Sequence, residues 1–151
     1  MSYENPWTFE NEIFDTDQIG DFFGFVYIIT NTSTGAKYVG RKYFWSTRKL
    51  NKAAKRRTTV ESDWKKYYGS SKVLLEQIQQ QGKKNFRREI VSLHSTKGDV
   101  NYAEVFELFN RNVLENEDYI NDNIAGKWFR KPEHISGKRK LSSRSSWRTL
   151  K

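Results

Sequence analysis

Tyr27 and Tyr38 stand eleven residues apart, and Arg48 follows the second tyrosine by ten. Phe25-Val26-Tyr27-Ile28-Ile29 is an aromatic and β-branched run, Thr32-Ser33-Thr34-Gly35 is a turn cluster, and Lys37-Tyr38-Val39-Gly40 resumes an extended pattern. Two short runs around such a cluster predict a β-hairpin over residues 24–40. With the loop symmetric about residues 32 and 33, Tyr27 faces Tyr38, and opposed side chains share one face with Cβ atoms roughly 5 Å apart. Two phenols then sit side by side, with a guanidinium arriving from the next element. A nearby positive charge favours phenolate, so the trio could accept a proton and neutralise an anion. Two tyrosines alone would be ordinary hairpin packing; Arg48 at its spacing favours chemistry. Arg41 and Lys49 compete with it for that role.

The elements that must hold these residues follow from pattern. Residues 1–20 read as an irregular acidic arm pinned by Pro6, Trp7, Phe9 and Phe14. Residues 44–57 are very basic and helix-compatible. Residues 58–71 form a connector containing Tyr67-Tyr68-Gly69-Ser70-Ser71. Ser71 can cap a helix over 72–81 that stops at Gly82. A third strand is expected over 85–93. A second strong helix over 100–115 has Asp99 as its cap, with Tyr102, Val105, Phe106, Phe109 and Val113 at helical spacing. Residues 118–131 are mixed, with Trp128 and Phe129 as anchors. This order predicts an α+β fold, a small sheet with helices packed on it.

Composition narrows the function. Zero cysteines excludes disulfides, thiolate metal sites and a cysteine nucleophile. Two histidines, His94 and His134, argue against chemistry that needs clustered imidazoles. No apolar run approaches the roughly 20 residues that span a bilayer, and the acidic N-terminus lacks a signal-peptide pattern; both fit a cytoplasmic protein. The net charge is +9, and its layout says more than its size. Residues 1–23 hold six acids and no Lys or Arg, whereas residues 41–57 hold eight Lys/Arg and no acid. Residues 127–151 hold nine Lys/Arg and one Glu. Solvated surface would explain such charge blandly, but basic clusters with interleaved aromatics favour a nucleic acid partner over a membrane. The candidate contacts are Arg41, Lys42, Lys49, Lys52, Lys55, Arg56 and Arg57, then Lys138, Arg139, Lys140, Arg144 and Arg148 in a Ser-rich tail.

At Phe25-Val26-Tyr27, Asn31, Tyr38-Val39-Gly40 and Arg48 the chain resembles the GIY-YIG nucleases, with Phe25-Val26-Tyr27 in place of Gly-Ile-Tyr. Tyr68-Gly69-Ser70-Ser71 and Phe86-Arg87-Arg88-Glu89-Ile90 look like phage and intron-encoded members. The resemblance covers roughly residues 24–126, leaving an acidic arm (1–23) and a basic tail (127–151). It implies a three-stranded antiparallel sheet flanked by helices. It also implies DNA cleavage with one divalent ion, Mg²⁺ or Mn²⁺, held by a helix glutamate. Tyr102-Ala103-Glu104 is the better match for that glutamate, with Glu107 as the alternative. Tyr27 takes the role of base and Tyr38 orders water or phosphate. Arg48 binds phosphate, and Asn123, or alternatively Asn121, holds the site together. A phage-encoded enzyme would act in the host cytoplasm. The rival from another class is a non-catalytic nucleic-acid-binding protein on the same fold.

Overall fold

The computed structural model describes residues 3–49, 51–53 and 55–132. In chain order the elements are β1 (Thr8–Phe9), β2 (Glu12–Ile13), β3 (Gly24–Asn31), β4 (Lys37–Tyr43), β5 (Trp45–Arg48), β6 (Thr58–Glu61), α1 (Lys72–Gln81), β7 (Phe86–His94), α2 (Lys97–Asn110), β8 (Asn123–Ile124) and β9 (Trp128–Phe129). The fold is α+β, but its main sheet has five strands, not three. Their order is β2-β1-β7-β3-β4, with β1 parallel to β7 and the other pairs antiparallel. The antiparallel trio β7-β3-β4 matches the expected sheet. The two extra strands come from the acidic arm, which covers the edge of β7 that would otherwise offer unpaired backbone groups.

β3 is buried along almost its whole length, which explains its continuous apolar run. Its alternate side chains feed two cores. Phe25, Tyr27 and Ile29 point into an aromatic cluster with Trp7, Phe14, Phe44, Trp64, Leu74 and Phe86. Val26 and Ile28 point into a second, aliphatic cluster with Val39, Leu108, Val113 and Ile124. The arm therefore belongs to the aromatic core: Trp7 is fully buried and its indole Nε1 donates to the Trp64 carbonyl at 2.7 Å. Arg88 locks the same region. It is 1% exposed, stacks its guanidinium on Trp7 and Tyr68, and donates to the carbonyls of Asn5 and Tyr67. Burial holds its pKa below the usual arginine value, outweighing the opposing pull of Tyr68, Tyr3 and Glu4.

α1 runs Lys72–Gln81, with Ser71 Oγ accepting from Leu74 N and Gly82 at φ +88 ending it, as expected from sequence. α2 starts earlier than the Asp99 cap implies. Thr96 Oγ1 accepts from Asp99 N at 3.1 Å and is the actual cap. Of its expected apolar stripe, Tyr102, Phe106 and Phe109 are exposed, Val105 is half-buried and Val113 is buried just past the helix end; within the helix the buried residues are Val100 and Leu108.

The expected basic helix over 44–57 does not form. Trp45–Arg48 and Thr58–Glu61 pair as a separate antiparallel ribbon, whose connecting loop is described at residues 49, 51–53 and 55–57. Helix-forming Lys and Arg dominate the loop, but β-branched Thr47, Thr58, Thr59 and Val60 and the aromatics Phe44 and Trp45 set the extended stems. Lys138, Arg139, Lys140, Arg144 and Arg148 lie outside the described residues, as does the chain beyond residue 132.

Candidate active site

The β3–β4 register differs from the symmetric expectation. Tyr27 pairs with Gly40 and Tyr38 with Ile29. The cause is the turn: Asn31 Oδ1 accepts from Ser33 N, and the Asn31 carbonyl accepts from Gly35 N, which centres the loop later. The slip moves each partner by an even number of residues, so both phenols stay on one face. Their ring centroids are 6.3 Å apart. Across the other edge of β3 the β7 register shifts between Val26 and Tyr27, a bulge of the kind that re-aims a side chain.

The glycine of Tyr38-Val39-Gly40 has a steric reason. A Cβ there would lie under 3.0 Å from the Tyr27 hydroxyl and Cζ. A Cβ on Gly69, at φ +90, would stand 3.2 Å from the same hydroxyl. Against these two backbones Tyr27 is 1% exposed. Burial, reinforced by the neighbouring phenols of Tyr67 and Tyr38, pushes its pKa well above the ordinary tyrosine value. Tyr38 is also raised, chiefly by burial, against a hydroxyl contact with Ser70 at 3.4 Å. This runs opposite to the expected phenolate: burial, the phenols of Tyr67 and Tyr38 and the Glu104 carboxylate all raise Tyr27, and it stays protonated.

Above the phenols opens a cleft of about 290 Å³, lined by Tyr27, Tyr38, Arg41, Lys42, Tyr67 and Glu104, among others. Glu104 reaches it from α2. Its Oε1 accepts from Arg41 Nη1 at 2.5 Å, and its side chain is 15% exposed against 42% for Arg41. Arg41 Nε also donates to the Tyr43 hydroxyl at 3.3 Å, and that hydroxyl donates to Asn101 Oδ1. Lys42 Nζ lies 4.1 Å from the Tyr67 ring centroid and 2.6 Å from Asp63 Oδ1.

The sequence-derived site is thus assembled in part. Tyr27, Tyr38, Arg41, Lys42 and Glu104 share the cleft. Arg48 does not: it is the last residue of β5, exposed, and pairs with Thr58. Arg41, immediately after the Tyr-Val-Gly motif, supplies the guanidinium instead. Glu107 turns elsewhere, to Arg111 Nε at 3.0 Å. Asn123 is also elsewhere, its amide spent on Asp122 and on the Gly126 backbone N–H. The holding role falls to buried Asn121, which donates to the Val39 carbonyl at 2.8 Å and accepts from Val39 N at 3.0 Å. That pair pins the middle of the Tyr-Val-Gly motif. Lys49, Lys52, Lys55, Arg56 and Arg57 are exposed on the ribbon loop. Sequence reasoning missed Tyr67, Tyr43 and Asn101. Tyr67 immediately precedes the Tyr68-Gly69-Ser70-Ser71 segment that resembles the phage members, and that adjacency was its one signal.

One carboxylate faces the cleft, and among the described residues no three His, Cys, Asp or Glu side chains group as a metal cage. A lone oxygen donor fits a hard, largely hydrated divalent ion and does not fit zinc. Among the described residues no helix is long and apolar enough to cross a membrane.

No curated protein and no solved structure matches the chain. Residues 7–124 match the family model described as "Putative endonuclease segE, GIY-YIG domain". That span takes in the N-terminal strands, the whole phenol cluster and the α2 glutamate, so the chain belongs to the segE-type GIY-YIG endonuclease domain family.

Proposed function

We propose that the protein is a DNA endonuclease that hydrolyses phosphodiester bonds in the Tyr27–Glu104 cleft with a divalent ion, Mg²⁺ or Mn²⁺, held by Glu104. The observation that carries this reading is the meeting of one carboxylate, one guanidinium and four phenols in a single open cleft. A net charge of +9, with the ribbon loop basic and acid-free, supports a polyanionic substrate.

The Arg41–Glu104 pair is partly exposed, and pairs of that kind are worth only about 0–1 kcal/mol. Arg41 can therefore leave Glu104 for a phosphate, where its planar fork engages two oxygens. Glu104 is then free for the ion. When bound, the ion supplies charge neutralisation and acidifies water. Tyr27, kept protonated by burial, offers a hydrogen bond to the reacting phosphate or to water, and Tyr38, tethered at Ser70, orders the same water. The water oxygen bonds to phosphorus as the P–O3′ bond breaks; of the water's two protons, one ends on the departing 3′-oxygen and the other is released to solvent, leaving a 5′-phosphate and a 3′-hydroxyl. Arg41 steadies the charge that builds on the non-bridging oxygens. Lys42, fixed by Asp63 and the Tyr67 ring, holds an adjacent phosphate.

Plasmid incubated with and without Mg²⁺ tests this, comparing the parent with Glu104→Gln. The parent should nick or linearise plasmid only with the ion, and Glu104→Gln should bind DNA normally and fail to cut. Cleavage near the parent rate by Glu104→Gln would remove that carboxylate from the reaction.

A further inference from the structure

The β5–β6 ribbon is built unlike the rest of the molecule. Its strands belong to no larger sheet. Ser46, Thr47, Arg48, Thr58 and Thr59 are exposed, so both faces of the stem meet solvent. The base is anchored firmly: Phe44 and Trp64 are fully buried, Ser62 N donates to the Phe44 carbonyl at 2.7 Å, and Ser62 Oγ donates to the Tyr43 carbonyl at 2.6 Å. Trp45, Ser46 and Ser62 at that base also line the cleft. A two-stranded ribbon without its own core is marginal in water. This one is hydroxyl-rich along its stem and carries Lys49, Lys52, Lys55, Arg56 and Arg57 at its tip.

We propose that the ribbon enters the major groove of duplex DNA and aims the neighbouring phosphate into the cleft. The proposal rests on the reading of the cleft as a DNA-cleaving site. Dimensions select the groove. Four strand residues at roughly 3.3 Å each reach about 13 Å, more than the roughly 8.5 Å depth of the major groove. Two paired strands with side chains fit a groove about 12 Å wide and are excluded from one about 6 Å wide. Threonine hydroxyls and Arg48 are side chains that read base edges, while the tip cations meet phosphates. Because base and cleft share residues, insertion fixes the distance between the groove contact and the cut.

The test uses the full chain and duplex DNA with guanine N7 methylated in the major groove. Methylation near the cut should weaken binding about tenfold or more, and the minor-groove ligand distamycin should not compete. In a second protein, residues 49–57 are replaced by Asn-Gly, a two-residue loop that suits paired strands. It should keep the parent's thermal stability, bind duplex about tenfold more weakly or worse, and lose its sensitivity to methylation. Duplex binding by the parent that ignores N7 methylation, or that distamycin displaces, overturns the groove assignment while leaving the nuclease reading intact. A shortened protein that stays methylation-sensitive overturns it equally. No duplex binding by the parent, even at low salt, would sink both.

Discussion

The cleft floor and the β5–β6 ribbon lie side by side, share Trp45 and Ser46, and are built in opposite ways. The floor is a set of polar groups held by burial: Tyr27 is packed against the backbones of Gly40 and Gly69, with Asn121 gripping Val39 beside it. The ribbon is held at its base, and apart from half-buried Trp45 and Val60 its described side chains stand in solvent. Packing fixes positions in the floor and suppresses ionisation there, as the raised Tyr27 shows. In the ribbon, packing reaches little beyond the base, and Lys49, Lys52, Lys55, Arg56 and Arg57 face solvent. Under the proposed function, reaction geometry belongs to the first region and substrate capture to the second.

That division can be broken by substitutions matched across the two regions. The largest stability effect is expected at Gly40→Ala, because the new methyl must displace a buried phenol. A loss of about 1–3 kcal/mol is the usual cost of overpacking, and cleavage should fall with it. Thr47→Ala on the ribbon should stay within about 0.5 kcal/mol, as surface changes do. Thermal denaturation of the two variants decides; equal melting temperatures would mean that the floor has slack and the glycine is not sterically required.

A smaller effect is expected from alkali. Burial pushes Tyr3 up to about 12 and Tyr27 well above 10.0. The unfolded chain ionises these phenols near their ordinary value, whereas the folded chain keeps them protonated. Stability is therefore full below about pH 10 and is lost as pH rises towards the folded values. Urea melts across that window should show the fall, and Tyr27→Phe or Tyr3→Phe should flatten it. The ribbon contains no tyrosine, so Thr47→Ala should leave the slope alone. A slope unchanged by Tyr27→Phe would mean that this phenol is not protected from ionisation.

Legibility followed the same division. β3, α1 and β7 were readable because apolar periodicity and a serine cap are local signals, and the glutamate on α2 was located by its resemblance to the family's helix. The N-terminal strands are two residues each, too short for any period, and depend on the distant edge of β7. The ribbon was read as a helix because Lys and Arg are good helix formers, while its pairing of Arg48 with Thr58 crosses a long loop. Arg48 was chosen by spacing on that helix and left the site when the helix did. Tyr67 joins the cleft through contacts with Tyr27 and Lys42, which no window of neighbouring residues reveals, and the choice of Asn121 over Asn123 rests on its bonds to the distant Val39.

The central claim is that the reacting cation stands on β4 beside Glu104 and not on the ribbon. The most direct measurement is the single-turnover cleavage rate at saturating DNA for Arg41→Ala and Arg48→Ala. Arg41→Ala should cut at least about a hundredfold more slowly, the range for losing a group that stabilises transition-state charge. Arg48→Ala should bind DNA more weakly yet cut within about threefold of the parent once saturated. A slow Arg48→Ala beside a near-parental Arg41→Ala would contradict the account and return the catalytic arginine to the ribbon.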